Sequence, residues 1–243
     1  MQNTRQDIIN KLRKDILLME GFKPPSAGGA GGIGLGEIEL AFPNRVFPVG
    51  AIHEMLCPAT EQIAATSGFI GGILASLMKQ GGACIWISTG RKIFPPAMTV
   101  FNMEPDRMIF IDLKREKDVL WAAEEALKCE GLAAVIAELQ DISFAESRRL
   151  QLAVENSKVT GFILRNDSRK ARASTCVARW QITHLPGETE GGLPGVGYPR
   201  WQVDLLKVRN GNPGSWQIEW AERRFVQLDK EAAVHEIFER QVG

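Results

Sequence analysis

A strand, a loop and a helix in residues 47–78 constrain the fold of this chain more than any other segment. The segment begins with FPVGAIHEML, in which Gly50 forms a turn before an apolar strand, and continues through the loop CPATEQ to the apolar helix of residues 69–78. This order is the geometry of a phosphate-binding loop, which requires the motif G-x-x-x-x-G-K-[ST] because glycines let backbone N–H groups reach the phosphates and the lysine neutralises them. No lysine occurs between Val49 and Met78. The sequence therefore predicts the scaffold of a nucleotide site without its phosphate-binding chemistry.

The composition is that of a globular protein without a strong attraction for polyanions. The chain has 243 residues, 44% of them hydrophobic, and 29 Lys plus Arg against 29 Asp plus Glu. The apolar fraction allows a packed core, and zero net charge argues against strong nonspecific DNA binding. The four cysteines are far apart in sequence, which favours reduced core thiols over a metal site. Residues 1–14 show no signal peptide and no apolar run is long enough to span a bilayer, so we predict a cytoplasmic protein that does not enter the membrane.

Apolar periodicity divides the chain into four parts. Residues 1–22 are predicted to contain an amphipathic helix over residues 4–20, followed by a Pro- and Gly-rich linker at 23–33, a core at 34–220 and a tail at 221–243 with a final helix at 229–240. In the core, strands alternate with helices up to residue 164, and strands then follow one another without helices. The predicted strands are 51–56, 83–88, 108–112, 132–137, 160–164, 176–183, 200–208 and 215–220, and the predicted helices are 66–79, 118–129 and 143–157.

This layout resembles the RecA core, an α/β fold whose mainly parallel central sheet ends in antiparallel closing strands and is preceded by a tethered N-terminal helix. Three segments carry the resemblance: GLGEIELA at residues 34–41, FPVGAIHE at residues 47–54 and the closing hairpin at 201–220. The similarity covers about residues 5 to 220. Within that superfamily, a short chain without the nucleotide-site lysine resembles the ImuA family.

The resemblance implies a role in DNA repair. ImuA proteins are encoded with ImuB, a catalytically dead homologue of Y-family polymerases, and with an error-prone replicative-type polymerase. The family therefore implies a role in DNA-damage-induced (SOS) mutagenesis. We therefore predict a non-catalytic RecA-like adaptor in error-prone translesion synthesis, with the polymerase-like ImuB as partner and RecA or DNA as further candidates. The alternatives are a SulA-like inhibitor of cell division, which is a more distant RecA-like relative, and a divergent ATPase with an atypical loop.

The remnant of a nucleotide site is predicted at two places. Counting back from the strand at 83–88 puts Thr66 at the position of the lysine, followed by Ser67, and the strand at 132–137 ends at Glu138, where an acidic residue would hold Mg²⁺. Thr66 could equally cap a helix, and Glu138 could only mark the end of its strand. Since neighbouring residues of a strand point to opposite faces, His53 and Glu54 are not expected to share a pocket. We predict no catalytic residue, no cofactor and no metal.

Two surfaces are candidates for binding other molecules. The segment RNDSRKAR at 165–172 follows a core strand and carries the DNA-binding candidates Arg165, Arg169, Lys170 and Arg172, although a solvated loop has the same composition. The terminal segments carry apolar residues at helical spacing, which can bind a partner, associate with a second copy or pack on the chain's own core. Their partner-binding candidates are Ile8, Ile9, Leu12, Ile16, Phe225, Ile237 and Phe238.

Overall fold

The computed structural model of the protein describes residues 11–12, 15, 32–90, 93–166, 173–187 and 197–228. Most of the predicted N-terminal helix, the linker up to residue 31 and the final helix at 229–240 lie outside these residues. Within the described ranges, no helix is long and apolar enough to cross a membrane.

Nine strands form a single sheet whose order is β3-β2-β4-β5-β1-β6-β7-β8-β9. The first six strands pair in parallel, and β7, β8 and β9 continue the sheet antiparallel. The predicted fold class is therefore confirmed. The strands are β1 (Ile52–Leu56), β2 (Ala83–Ser88), β3 (Met108–Asp112), β4 (Leu132–Leu139), β5 (Thr160–Arg165), β6 (Ala178–Leu185), β7 (Arg200–Val208), β8 (Gly214–Ala221) and β9 (Arg224–Gln227).

Three α-helices connect the parallel strands. Helix α1 spans Thr60–Leu77, α2 spans Glu116–Leu127 and α3 spans Phe144–Ser157. The predicted capping box of α3 is confirmed, since the Ser143 hydroxyl accepts a hydrogen bond from the Glu146 backbone and the Glu146 carboxylate accepts one from the Ser143 backbone. Short 3₁₀ helices span Gly36–Ala41, Pro43–Arg45, Met78–Gln80, Pro95–Phe101 and Pro105–Arg107.

The sheet separates two hydrophobic layers. One lies between the sheet and α1 and contains most of the aromatic residues, and the other lies between the sheet and the pair α2 and α3. Both faces of β1 and β5 are covered, and all their residues are buried. Burial on both faces fits the mainly apolar sequence of β5, whereas β1 also buries the polar side chains of His53 and Glu54.

Helix α1 approaches the sheet closely through glycines. A Cβ atom on Gly68 would lie 2.9 Å from the ring of Phe101 and 3.1 Å from that of Trp201, and one on Gly72 would lie 2.8 Å from the ring of Trp220. Real Cβ contacts are longer than this, so a larger residue at either position would push α1 away from the aromatic layer. The glycines therefore set the distance between α1 and the sheet.

The sheet extends beyond the predicted core boundary at residue 220. Strand β9 pairs with β8 from Ala221↔Arg224 to Ile218↔Gln227, so that the core reaches at least Gln227. Phe225, predicted to bind a partner, instead packs on the core, with its ring centroid 4.9 Å from that of Trp220 and 5.4 Å from that of Phe69. Its apolar side chain is used within the chain because β9 directs it toward α1.

This packing makes Phe225 a stability residue. We expect Phe225→Ala to lower the free energy of unfolding by about 2 kcal/mol, because a half-buried aromatic ring and its contacts are lost. The control is Phe144→Ala, which removes the same ring from a position that is 57% exposed and should change the free energy by about 0.5 kcal/mol or less. Urea unfolding of both variants measures the difference, and equal effects would contradict the placement of β9.

Candidate functional site

The loop between β1 and α1 is shorter than a phosphate-binding loop. Strand β1 ends at Leu56 and α1 begins at Thr60, which leaves the three residues Cys57, Pro58 and Ala59 between them. The phosphate-binding motif has eight positions and depends on glycines at its first and sixth. In this chain five of the eight positions, residues 60–64, form the first turn and a half of a helix in place of a glycine-rich loop.

The start of α1 corrects the predicted register of the remnant site. If the motif is counted forward from Cys57, directly after β1, Gln62 takes the place of the second glycine, Ile63 that of the lysine and Ala64 that of the Ser or Thr. Counting back from β2 placed the lysine at Thr66 because the helix was expected to begin there. The structure begins it six residues earlier, so that Thr66 and Ser67 lie within its second turn.

Thr66 and Ser67 serve the packing of α1. Thr66 is fully buried, and its hydroxyl lies 3.4 Å from the Cys57 thiol, which donates to it. The Ser67 hydroxyl donates to the Ile63 carbonyl one turn earlier at 2.7 Å. Thr66 does not cap the helix either, because the N-cap is Ala59 and its N–H is satisfied by the Gln62 side chain at 3.2 Å.

The electrostatics of the α1 N-terminus are unfavourable for a nucleotide. A helix N-terminus attracts anions through its free N–H groups and its dipole. Here the exposed carboxylate of Glu61 already stands in the first turn, which complements the dipole and repels a phosphate. The positive end of α1 is thus balanced by the chain itself.

An apolar cavity of about 380 Å³ lies beside the first half of α1. Ile63 forms part of its wall together with side chains of the 3₁₀ segment Pro95–Phe101 and of β7. The wall comprises Thr60, Ile63, Ala64, Ser67, Gly68, Ile93, Phe94, Ala97, Met98, Phe101, Pro199 and Trp201. Among the described residues of this wall two carry hydroxyl groups and none is a cation, so they compensate a triphosphate poorly for leaving water.

Glu138 lies at the expected end of β4 and is buried. Its carboxylate accepts a hydrogen bond of 2.9 Å from the indole N–H of Trp86 on the neighbouring strand β2. Within the described ranges, no group of three His, Cys, Asp or Glu side chains is placed to hold a metal ion. The carboxylate therefore has a structural partner within the sheet.

The two faces of β1 carry different chemistry, as expected for His53 and Glu54. His53 points toward α1, where its Nε2–H donates to the Pro48 carbonyl at 2.8 Å and its Nδ1 accepts from the Trp180 indole at 3.3 Å. Burial lowers the pKa of His53 to about 4, against the opposing effect of the hydrogen bond to Pro48. The imidazole is therefore neutral at physiological pH and belongs to the stacked aromatic layer, with its ring centroid 4.4 Å from that of Phe47.

Glu54 points to the other face and is the centre of a buried ion network. Its carboxylate lies 2.5 Å from the Arg165 guanidinium and 2.6 Å from that of Arg179, and it accepts a hydrogen bond of 2.9 Å from the Ser174 hydroxyl. Arg165 also pairs with Asp141, which follows β4. The network joins the ends of β1, β4 and β5 to the segment before β6, on the side of the sheet covered by α2 and α3.

Arg165 is a correction to the predicted DNA-binding set. Its side chain is fully buried between two carboxylates, so its guanidinium stabilises the fold and does not reach the surface. The other three DNA-binding candidates, Arg169, Lys170 and Arg172, lie outside the described residues, as do the partner-binding candidates Ile8, Ile9, Ile16, Ile237 and Phe238. Leu12 is described and is 54% exposed.

Two residues of this region, Ile63 and Arg179, were not predicted, although the sequence contains a signal for each. Counting the motif from residue 57, directly after the strand predicted over 51–56, identifies Ile63. Arg179 stands within the apolar strand that was predicted over 176–183, and a charge in such a strand indicates a buried ionic partner. The partner itself, Glu54, is 125 residues away and could not be assigned from spacing.

Comparisons with known proteins place this geometry in a family. No protein-family model matches the chain. Protein ImuA of Caulobacter vibrioides, in strains NA1000 and CB 15, is 30% identical over 194 residues, which cover 75% of this chain and 80% of the relative. Among solved structures, the RadB recombinase matches with a TM-score of 0.53 at 14% identity, covering 76% of this chain and 93% of RadB. The fold is accordingly RecA-like.

Removal of the Glu54 carboxylate tests the importance of the network. We expect Glu54→Ala to lower the free energy of unfolding by about 3–5 kcal/mol, because Arg165 and Arg179 lose a buried counter-charge. The control is Glu104→Ala, which breaks the pair with Arg107 at a carboxylate that is 63% exposed and should cost about 1 kcal/mol or less. Denaturant unfolding measures both, and a Glu54→Ala effect as small as the control's would show that the network is not stabilising.

Proposed function

We propose that this chain, which belongs to the ImuA family, acts as a non-catalytic RecA-like adaptor in damage-induced, error-prone translesion DNA synthesis. Membership follows from 30% identity with Protein ImuA over most of both chains. The partner that we propose is the polymerase-like ImuB, and RecA and DNA are further candidates. The role is that of a scaffold that brings proteins together, without turnover of a nucleotide.

The observation that carries the proposal is the start of α1 three residues after β1. A RecA-like ATPase needs backbone N–H groups and a lysine around the phosphates. This chain offers Ile63 at the lysine position, Glu61 beside it and an apolar cavity behind them. These features support a function that uses the surface of the fold and not its nucleotide site.

The segment after Leu228 is the strongest candidate for partner binding. The described chain ends where the Leu228 N–H donates to the Gln217 carbonyl on β8, and residues 229–243 follow that point. Ile237 and Phe238, with Val234, recur at the spacing of one helical face. Phe225 no longer belongs to this set, because its ring is used in the core. The N-terminal segment carries a second apolar stripe at helical spacing, which remains a candidate for partner binding: Ile8, Ile9, Leu12 and Ile16.

The test is binding of the purified full chain to the polymerase-like partner, with and without residues 229–243. A cut after Leu228 retains β9 and the packing of Phe225, so the truncated chain should keep the thermal midpoint of the full chain. We expect the truncation, and the milder double variant Ile237→Asp/Phe238→Asp, to weaken binding at least about tenfold, since buried apolar anchors dominate such interfaces.

Two controls make the result decisive. The variant Phe144→Asp alters an exposed aromatic residue elsewhere and should leave binding unchanged. A chain without residues 1–22 tests the N-terminal stripe separately. Unchanged binding after removal of residues 229–243 would overturn the assignment of the C-terminal segment, and absence of binding by the full chain would overturn the adaptor role itself.

A further inference from the structure

Four cationic side chains converge on the backbone at Ser174 and Thr175, between β5 and β6. Arg165 and Arg179 reach this place from β5 and β6 through the Glu54 network. Lys207 donates from β7 to the Ser174 carbonyl at 3.0 Å, and Arg209 donates to the Thr175 carbonyl at 2.6 Å. The Arg179 guanidinium also donates to the Ser174 hydroxyl at 3.2 Å. The main-chain carbonyls of Ser174 and Thr175 thus hold Lys207 and Arg209, whereas Arg179 and Arg165 are linked to this place through the Ser174 hydroxyl and Glu54.

The charges of this cluster do not balance. Arg165 and Arg179 are matched by two carboxylates, those of Glu54 and Asp141. Lys207 and Arg209 are fixed by carbonyl oxygens, and across the described ranges neither has a carboxylate within ion-pair distance. Four cations against two carboxylates leave an excess of two positive charges in a chain with no net charge.

Two of the cations lie opposite each other in the sheet. Arg179 and Lys207 face each other directly in the antiparallel ladder of β6 and β7. Like charges at such cross-strand positions destabilise a sheet. Arg179 is largely buried, with 12% of its side chain exposed, whereas Lys207 is exposed at the surface. A negative group beside Lys207 and Arg209 would offset the repulsion without disturbing Glu54.

We infer that Lys207 and Arg209, supported by Arg179, form a binding site for the phosphodiester backbone of nucleic acid. Lysine and arginine on a rigid strand are suited to this ligand, because their attraction to phosphates does not depend on base sequence. The described residues of the cluster include no aromatic ring on which a base could stack. The site therefore reads the backbone and not the bases.

This site deepens the proposed function, on which it rests, because it assigns the candidate binding of DNA to particular residues. Binding of ImuB and binding of nucleic acid are measured separately, so either can fail without the other. Lys207 lies in β7 and Arg209 directly follows that strand.

The test uses the full chain and the double variant Lys207→Gln/Arg209→Gln, in which glutamine keeps an N–H donor for the carbonyls of Ser174 and Thr175. The matched control, Lys79→Gln/Lys114→Gln, removes the same charge from exposed positions elsewhere. Binding to a labelled mixed-sequence single strand of about 30 nucleotides, and to its duplex, is followed by fluorescence anisotropy at roughly 50 to 200 mM salt. Thermal unfolding of each variant checks the fold.

The expected result is binding by the parent chain and a loss of about tenfold in the double variant, with the control within about twofold. The slope of log affinity against log salt should fall by about 1.4 for the single strand or about 1.8 for the duplex, as two phosphate contacts are lost. If the double variant unfolds, Lys207→Gln alone should give half of the slope change. The preferred ligand is the form of nucleic acid, single strand or duplex, for which the double variant loses affinity.

Three results would overturn the inference. The first is no binding by the parent chain at the lowest salt. The second is an equal loss in the double variant and its control. The third is displacement of the oligonucleotide by polyglutamate as effectively as by unlabelled oligonucleotide at equal charge, which would identify the site as a surface for an acidic protein.

Discussion

The close approach of α1 to the sheet is the constraint on which the rest of the structure depends. Gly68 and Gly72 leave no room between the helix and the rings of Phe101, Trp201 and Trp220. The same helix begins directly after β1, with a connection of three residues. Most residues at the positions of the phosphate-binding motif are part of the helix, and an apolar cavity lies beside them.

Much of the fold follows from local patterns, and the exceptions have physical causes. The parallel strands, the hairpin before β8 and the capping box of α3 were predicted because apolar runs, turn residues and capping residues are local signals. The start of α1 was missed because ATEQ lacks glycine and is compatible with either a loop or a helix. Strand β9 was missed because its tight turn uses Glu222 and Arg223 at φ of 51° and 61°, where Asn-Gly is the usual signal.

The predicted site could be recovered only in part, because its chemistry depends on long-range contacts. The absence of a lysine from residues 49–78 was sufficient to predict a degenerate phosphate site. The burial of Arg165 was not predictable, because its partner Glu54 lies 111 residues away and the two meet only through the pairing of β1 and β5. The polar chemistry of the molecule consequently lies on the face of the sheet opposite α1, around Glu54 and the cations of β6 and β7.

The central claim is that this RecA-like fold has lost the capacity to bind a nucleoside triphosphate. The most direct measurement is the thermal unfolding midpoint of the full chain in increasing Mg·ATP, with magnesium chloride and sodium chloride at the same ionic strength as control. A ligand that binds only the native state raises stability in proportion to the logarithm of its concentration. The loop and the position of Ile63 predict no shift beyond that of the control. A shift specific to Mg·ATP that grows with concentration would contradict the account.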